Sequence, residues 1–268
     1  MVHHNMPIGF IGGGRVTRII LSGLSRRNAL PAQIAVYDIR QEQMESLASD
    51  YSAVRPVASP AELVSASRMI FLAVHPPEVS EILRDIGGHL DADRLVVSLA
   101  PKINFDQMFA AAGKSIPLIR VIPNAPSAID KGYNVYAIPP HISGEHLQQV
   151  SSLFTPLGEF REVDETLLEA YATLTGMGPT YLWFLFQYLY RQAIDLGIEP
   201  PEARQALNTM IAGTSDTLFN SGMTYEQVLD LIPGYPLRKY EDNITSLYRE
   251  VITGLYEKLS SKPQAPTG

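Results

Sequence analysis

A glycine-rich turn near the start of the chain has residue types and a spacing suited to phosphate binding. Gly12, Gly13 and Gly14 follow a short apolar run and precede a helical pattern, giving G-x-G-x-x-T with Thr17 in the last place. Gly12 permits a tight turn, Gly14 lets the backbone approach a pyrophosphate, and the first amides of a helix attract phosphate oxygens. This turn therefore predicts a nucleotide site comprising Ile11, Gly12, Gly13, Gly14, Arg15 and Val16.

A carboxylate follows the second apolar run at a distance suited to ribose recognition. Asp38 stands 24 positions after Gly14 (38 − 14), close to the roughly 20 residues expected of a ribose-binding acid. Asp38 should bind a ribose diol and repel a 2′-phosphate, which favours NAD. Arg15 and Arg40 are near enough in sequence to hold such a phosphate, so NADP stays open.

Two later segments rich in small residues and proline stand where further strands end. Ligands of open parallel sheets bind at the carboxyl ends of strands. We therefore assign cofactor contacts to residues of these two segments, which are Ala73, Val74, His75, Pro76, Leu99 and Ala100. On composition alone, both segments could instead be simple turns at strand ends.

The elements that position these residues alternate between apolar runs and helical patterns. We predict strands at 7–11, 34–37, 69–74, 95–99 and 118–122, separated by helices at 15–27, 41–49, 60–65, 77–88 and 104–112. Further strands are expected at 135–138 and 159–163, flanking a helix at 144–154. Apolar strands separated by helices are typical of a parallel sheet covered on both faces. The fold class is therefore α/β, a Rossmann-type doubly wound sheet.

The pattern changes after residue 163. Residues 1–163 carry a net charge of −1 (14 − 15) and residues 164–268 a net charge of −6 (7 − 13). Helices are predicted at 165–174, 179–196, 201–220, 225–231 and 240–259. We thus predict an NAD(P)-binding domain at 1–163, an all-α dimerisation and substrate domain at 164–262, and a disordered tail at 263–268. Because the helix at 179–196 is apolar nearly all round, it predicts a homodimer through the C-terminal helices, with further assembly left open.

Composition excludes several function classes. The chain has 268 residues and no cysteine, so it has no disulfide framework, thiolate metal site or thiol nucleophile. A formal charge of −7 argues against a nucleic-acid surface. The most apolar segment, 181–190, is too short to span a bilayer. The sequence therefore favours a small-molecule substrate, no metal site, no membrane or nucleic-acid partner, and a cytoplasmic location.

Two longer motifs carry a family resemblance. The first is R-V-I-P-N-A-P from Arg120 to Pro126, and the second is T-G-M-G-P-T-Y from Thr175 to Tyr181. Together with the glycine turn and the segments at residues 73–76 and 98–100, they resemble the pyrroline-5-carboxylate reductase family over about residues 6–235. The resemblance implies an NAD(P)H-dependent reductase of a cyclic imine, converting pyrroline-5-carboxylate to proline or performing a related reaction. It also implies an active site at the domain junction, completed by the partner subunit, and a cofactor contact for Asn124.

The substrate half departs from the family pattern. His75 stands for a lysine, Gln187 for an acidic residue near the imine nitrogen, and Leu237 for a threonine. Tyr235 offers a replacement hydroxyl, so Gln187 and Tyr235 are our catalytic candidates. These departures leave two alternatives, which are an oxidoreductase acting on a different imine or carbonyl and a nucleotide-binding regulatory paralogue that has lost catalysis.

Overall fold

A computed structural model describes residues 6–261 of the chain. The expected disordered tail at 263–268 lies outside the described residues. An eight-stranded sheet runs in the order β3-β2-β1-β4-β5-β6-β7-β8. The strands are β1 (Ile8–Ile11), β2 (Ile34–Tyr37), β3 (Val54–Pro56), β4 (Met69–Leu72), β5 (Leu95–Ser98), β6 (Leu118–Ile122), β7 (Gly132–Ala137) and β8 (Gly158–Glu162).

Neighbouring strands are parallel except β6 and β7, which are antiparallel. Helices connect most of the strands and continue the chain beyond them. They are α1 (Arg15–Arg26), α2 (Gln41–Asp50), α3 (Pro60–Ala66), α4 (Pro76–Ile86), α5 (Phe105–Ala112), α6 (Gly144–Phe154), α7 (Leu168–Tyr171), α8 (Gly178–Asp195), α9 (Pro200–Asn220), α10 (Tyr225–Asp230) and α11 (Glu241–Ser260). The architecture confirms the predicted Rossmann-type sheet followed by helices.

Both faces of the sheet are buried. In β4, Ile70 and Leu72 enter one buried apolar cluster, whereas Met69 and Phe71 enter another. Successive side chains of a strand point to opposite faces, so each cluster covers one face. This double burial explains why the central strands have almost continuous apolar sequences.

Two elements differ from the sequence prediction. Strand β3 was not predicted, because it has three residues, ends in Pro56 and lies at the sheet edge. The helix predicted at 165–174 is a succession of a 3-10 turn at Glu165–Leu167, helix α7 and a π-helical turn at Ala172–Gly176. Helical periodicity alone does not distinguish these three kinds of turn.

The chain forms two compact units. The first comprises the described residues up to Met177 together with those from Leu255 onward, and the second is Gly178–Gly254. The division thus falls between Met177 and Gly178, later than the composition change at residue 163. The intervening segment belongs to the first unit because Leu168 and Ala172 are buried in one of the core clusters of the sheet.

The second unit has almost no interior of its own. Ala203 is its only buried residue. Its helices leave large apolar side chains exposed, including Trp183 at 52% and Phe184 at 61%. Within residues 6–261, no helix is both long enough and apolar enough to cross a membrane.

Candidate functional site

The predicted nucleotide residues meet where β1 and β4 lie side by side. These strands form the switch point of the sheet, because the chain continues outward from them in opposite directions. Gly12 has φ +108°, and a Cβ there would overlap the carbonyl of Ala73. The amide of Ala73 donates to the carbonyl oxygen of Ile11 at 2.8 Å. Only glycine therefore allows the turn after β1 to pass so close to the end of β4.

The turn leads into an open helix N-terminus. Gly14 is the N-cap of α1 and provides no side-chain cap, and a Cβ at Gly14 would meet nothing within 4 Å. Space is thus left beside the first amides of α1, where an anion is favoured. The hydroxyl of Thr17 donates to the carbonyl oxygen of Gly12 at 2.6 Å. This bond satisfies the buried hydroxyl and accounts for threonine in a place usually taken by glycine or alanine.

Asp38 organises the same turn from the end of β2. Its Oδ2 accepts from the Gly13 amide at 2.8 Å, and its Oδ1 accepts from the Arg40 amide at 2.9 Å. The Nε of Arg40 lies 3.5 Å from Oδ1, and the side chains of Asp38 and Arg40 are 8% and 58% exposed. The carboxylate of Asp38 therefore has a fixed position at the carboxyl end of β2, with the long, exposed side chain of Arg40 beside it.

We expect Asp38→Ala to weaken NADH binding about tenfold, the cost of losing a hydrogen bond to a charged group. NADPH should lose less, because removing the carboxylate also removes repulsion of the 2′-phosphate and frees the side chain of Arg40. Fluorescence titration with both dinucleotides measures the difference. Asp50→Ala is the matched control, because Asp50 pairs with Arg18 at 3.3 Å. Equal losses for NADH and NADPH would contradict the preference for NAD.

The two later segments border the same edge through their backbone. His75 is the N-cap of α4 and makes no side-chain cap bond, and Pro76 follows in the first turn. Leu99 and Ala100 are buried, and the Leu99 amide donates to the Leu72 carbonyl oxygen at 3.0 Å. The predicted residues Ala73, Val74, His75, Pro76, Leu99 and Ala100 therefore lie at the carboxyl ends of β4 and β5. Their assignment as cofactor contacts stays a prediction.

Asn124 has internal partners. Its Nδ2 donates to the Thr175 carbonyl oxygen at 3.4 Å, and its Oδ1 accepts from the Tyr133 amide at 3.1 Å. Its own amide donates to Oδ1 of Asn134 at 3.3 Å. The side chain thus links the end of β6 to β7 and to the π-helical turn. This bonding explains the asparagine structurally, and its contact with a cofactor stays a prediction.

Sequence reasoning missed a charge cluster at β6, formed by the buried Arg120 and the partly exposed Glu165 and Glu169. Arg120 is 1% exposed, and its Nη1 and Nη2 contact Glu165 at 2.9 Å and Glu169 at 2.7 Å. The same carboxylates accept from the amides of Phe105 at 2.7 Å and Lys102 at 2.9 Å. The signal was the single arginine within an otherwise apolar strand, because an interior guanidinium requires carboxylate partners.

The two catalytic candidates belong to the second unit. Gln187 is exposed on α8. The hydroxyl of Tyr235 donates to Oε2 of Glu241 at 2.8 Å, and this bond is the main reason why the pKa of Tyr235 rises to about 12. The Tyr235 proton is therefore directed to Glu241. The catalytic roles of Gln187 and Tyr235 stay predictions.

The chain is similar in sequence to known oxidoreductases. Residues 7–102 match a family model described as NADP oxidoreductase, coenzyme F420-dependent. The pyrroline-5-carboxylate reductase of Corynebacterium melassecola is 28% identical over 218 residues, covering 80% of each chain. The Escherichia coli K12 enzyme of the same name is 27% identical over 216 residues, again covering 80% of each chain.

Solved structures share the fold across nearly the whole chain. The Plasmodium falciparum pyrroline carboxylate reductase with NADP bound has a TM-score of 0.82 at 19% identity, covering 96% of this chain and 98% of that chain. The 1-pyrroline-5-carboxylate reductase of Streptococcus pyogenes has a TM-score of 0.81 at 20% identity, covering 96% and 99%. The chain is thus similar to pyrroline-5-carboxylate reductases in its sequence over about 80% of its length and in its fold over 96%.

Proposed function

We propose that the chain is an NAD(P)H-dependent reductase of a cyclic imine, converting pyrroline-5-carboxylate to proline or performing a closely related reduction. The observation that carries the proposal is the cradle at the β1–β4 switch point. Gly12 fits there only without a side chain, whereas Gly14 leaves open space at the start of α1. The relatives from Corynebacterium melassecola and Escherichia coli carry the name of this activity.

The residues of the first unit suit a dinucleotide. The first amides of α1 would hold the phosphates, and the Asp38 carboxylate would accept from a ribose hydroxyl. The backbone at Leu99 and Ala100 would form a dry wall beside the nicotinamide, since both side chains are buried. A reduced nicotinamide, when bound, supplies the hydride that the imine carbon accepts. The protein's part is to hold the reactants in register and exclude water.

The substrate is the less constrained part of the proposal. The exposed amide of Gln187 carries no charge to complement an iminium, and Leu237 is an exposed apolar residue. Loss of a polar recognition group can change substrate discrimination by about 10⁴. A different imine or carbonyl substrate is therefore the second candidate, and a binding protein without turnover is the third.

We further propose a homodimer through the helices of the second unit. A unit whose only buried residue is Ala203 needs cover from elsewhere, and a second copy supplies the same apolar helices. Large exposed apolar patches mark interaction surfaces. We propose the cytoplasm as the compartment, because a chain without cysteine cannot form the disulfides that are typical of proteins in oxidising compartments.

The test is an assay of the purified chain with pyrroline-5-carboxylate and either NADH or NADPH. We expect loss of absorbance of the reduced nicotinamide and stoichiometric formation of proline. Titration of the two dinucleotides in the absence of substrate is run in parallel. Binding without turnover of pyrroline-5-carboxylate would exclude the first reading, and turnover of another imine or carbonyl would then support the second.

A further inference from the structure

The loop between β5 and α5 contains a turn in a conformation that its sequence does not favour. Pro101 and Lys102 form the turn, and Lys102 has φ +79°. Proline followed by a residue with positive φ is the pattern of a type II turn, in which the second place strongly favours glycine. A lysine there is strained, so surrounding contacts must hold it.

Those contacts come from the cluster of Arg120, Glu165 and Glu169. Oε1 of Glu169 accepts both the Lys102 amide at 2.9 Å and Nη2 of Arg120 at 2.7 Å. Oε1 of Glu165 accepts both the Phe105 amide at 2.7 Å and Nη1 of Arg120 at 2.9 Å. The guanidinium therefore fixes two carboxylates, of which Glu169 holds the turn at Lys102 and Glu165 holds the start of α5 at Phe105.

The loop begins directly at the strand end that borders the nucleotide cradle. Leu99 and Ala100 directly precede the turn, so a change of the backbone at Pro101 and Lys102 would reach them first. Core packing holds both side chains, and the Leu99 amide also bonds to β4. Helix α5 begins at Phe105, and the Asn104–Gln107 capping box fixes its start. Residues 101–104 have few alternative backbone conformations while Glu169 and Glu165 hold the amides of Lys102 and Phe105. Without the carboxylates, Lys102 would relax to negative φ and carry the preceding backbone with it.

We infer that Arg120, Glu165 and Glu169 are positioning residues that hold Lys102 in its left-handed conformation and thereby preform the nicotinamide side of the cofactor site. The inference rests on the proposed function, because it takes the strand ends to be a dinucleotide site. A purely structural role would not depend on Lys102. In the role inferred here, the three residues affect dinucleotide binding through the backbone conformation of Lys102 alone.

The test measures binding of NADH and NADPH by fluorescence, without turnover, in variants that change the support or the conformation of Lys102. Glu169→Ala should weaken binding about tenfold, since a strained residue costs on the order of a factor of ten when left unsupported. Adding Lys102→Gly should restore affinity to within about threefold, because glycine adopts positive φ without strain. Glu62→Ala is the matched control, since Glu62 also joins an arginine, Arg55, to a backbone amide, that of Ala58.

A second pair of variants leaves Arg120, Glu165 and Glu169 in place. Lys102→Val and Lys102→Gly both remove the same ammonium group, and they differ in the cost of positive φ. Lys102→Val should weaken binding about tenfold, whereas Lys102→Gly should bind as the unchanged chain does. Equal affinities for these two variants, or no recovery when Lys102→Gly is added to Glu169→Ala, would overturn the inference alone. If the unchanged chain bound neither dinucleotide, the proposed function would fall and the inference with it.

Discussion

Replacing Gly12 by alanine should abolish dinucleotide binding and destabilise the first unit. A methyl group at this position would overlap the backbone carbonyl of Ala73, with its carbon atom 2.7 Å away, and the residue has φ +108°. Neither obstacle can be relieved by rotating a side chain. We expect the free energy of unfolding to fall by about 2–4 kcal/mol and dinucleotide affinity to fall by more than about 100-fold. Chemical denaturation and fluorescence titration measure the two quantities.

Gly14→Ala separates the two effects. Its methyl group meets no protein atom within 4 Å, so the free energy of unfolding should fall by only about 1 kcal/mol, because alanine is a poorer N-cap residue than glycine. It would project into the space proposed for the pyrophosphate, and affinity should still fall about tenfold or more. Gly144→Ala is the control for both, because its methyl group is also unobstructed and lies on α6. Wild-type affinity in Gly12→Ala would refute the nucleotide cradle.

Replacing Phe184 by aspartate should convert the proposed dimer to monomers or unfold the second unit. Phe184 is 61% exposed on α8, next to Trp183 at 52%. Burial of a phenylalanine contributes about 2–3 kcal/mol, and in a two-fold symmetric dimer the substitution occurs twice. The added carboxylates would also be buried without a partner. Dissociation should therefore become at least about 10³-fold more favourable, which sedimentation at micromolar concentration would detect.

Ile129→Asp is the matched control, because Ile129 is exposed in the first unit and undergoes the same chemical change. In sedimentation, the Ile129→Asp variant should have the same oligomeric state as the unchanged chain. A stable, folded monomer of the unchanged chain at micromolar concentration would refute the proposed interface. It would also require another explanation for how the apolar helices remain in solution.

The proximity of Gly12, Gly14 and Asp38 could be predicted from the sequence because its determinants are local, whereas their binding of a nucleotide stays a prediction. The spacing of Gly12, Gly14 and Asp38 follows from backbone geometry over one strand, one turn and one helix, and the structure brings these residues together at one edge of the sheet. Thr17 departs from the usual pattern, and its bond to Gly12 could not be read from residue type.

The charge cluster shows why the rest was not predictable. Arg120 contacts residues 45 and 49 positions away, and those residues contact amides 60 and 67 positions away. Nothing in the spacing of Glu165 and Glu169 marks them as partners of a strand residue. The positive φ of Lys102 is likewise not indicated by its residue type. The roles of Gln187 and Tyr235 depend on substrate and on subunit arrangement, which residue type alone does not determine.

The two outer strands of the sheet have a consequence for how copies of the chain associate. An exposed strand edge is a template for pairing with another strand, and proteins protect such edges with proline, short length or charge. Strand β3 ends in Pro56, which has no amide hydrogen to donate, and β8 carries Glu159, Arg161 and Glu162 in exposed positions. Both edges thus oppose continuous sheet formation between molecules. Fibrillar aggregation through the sheet is thereby disfavoured, which is compatible with the association through helices proposed above.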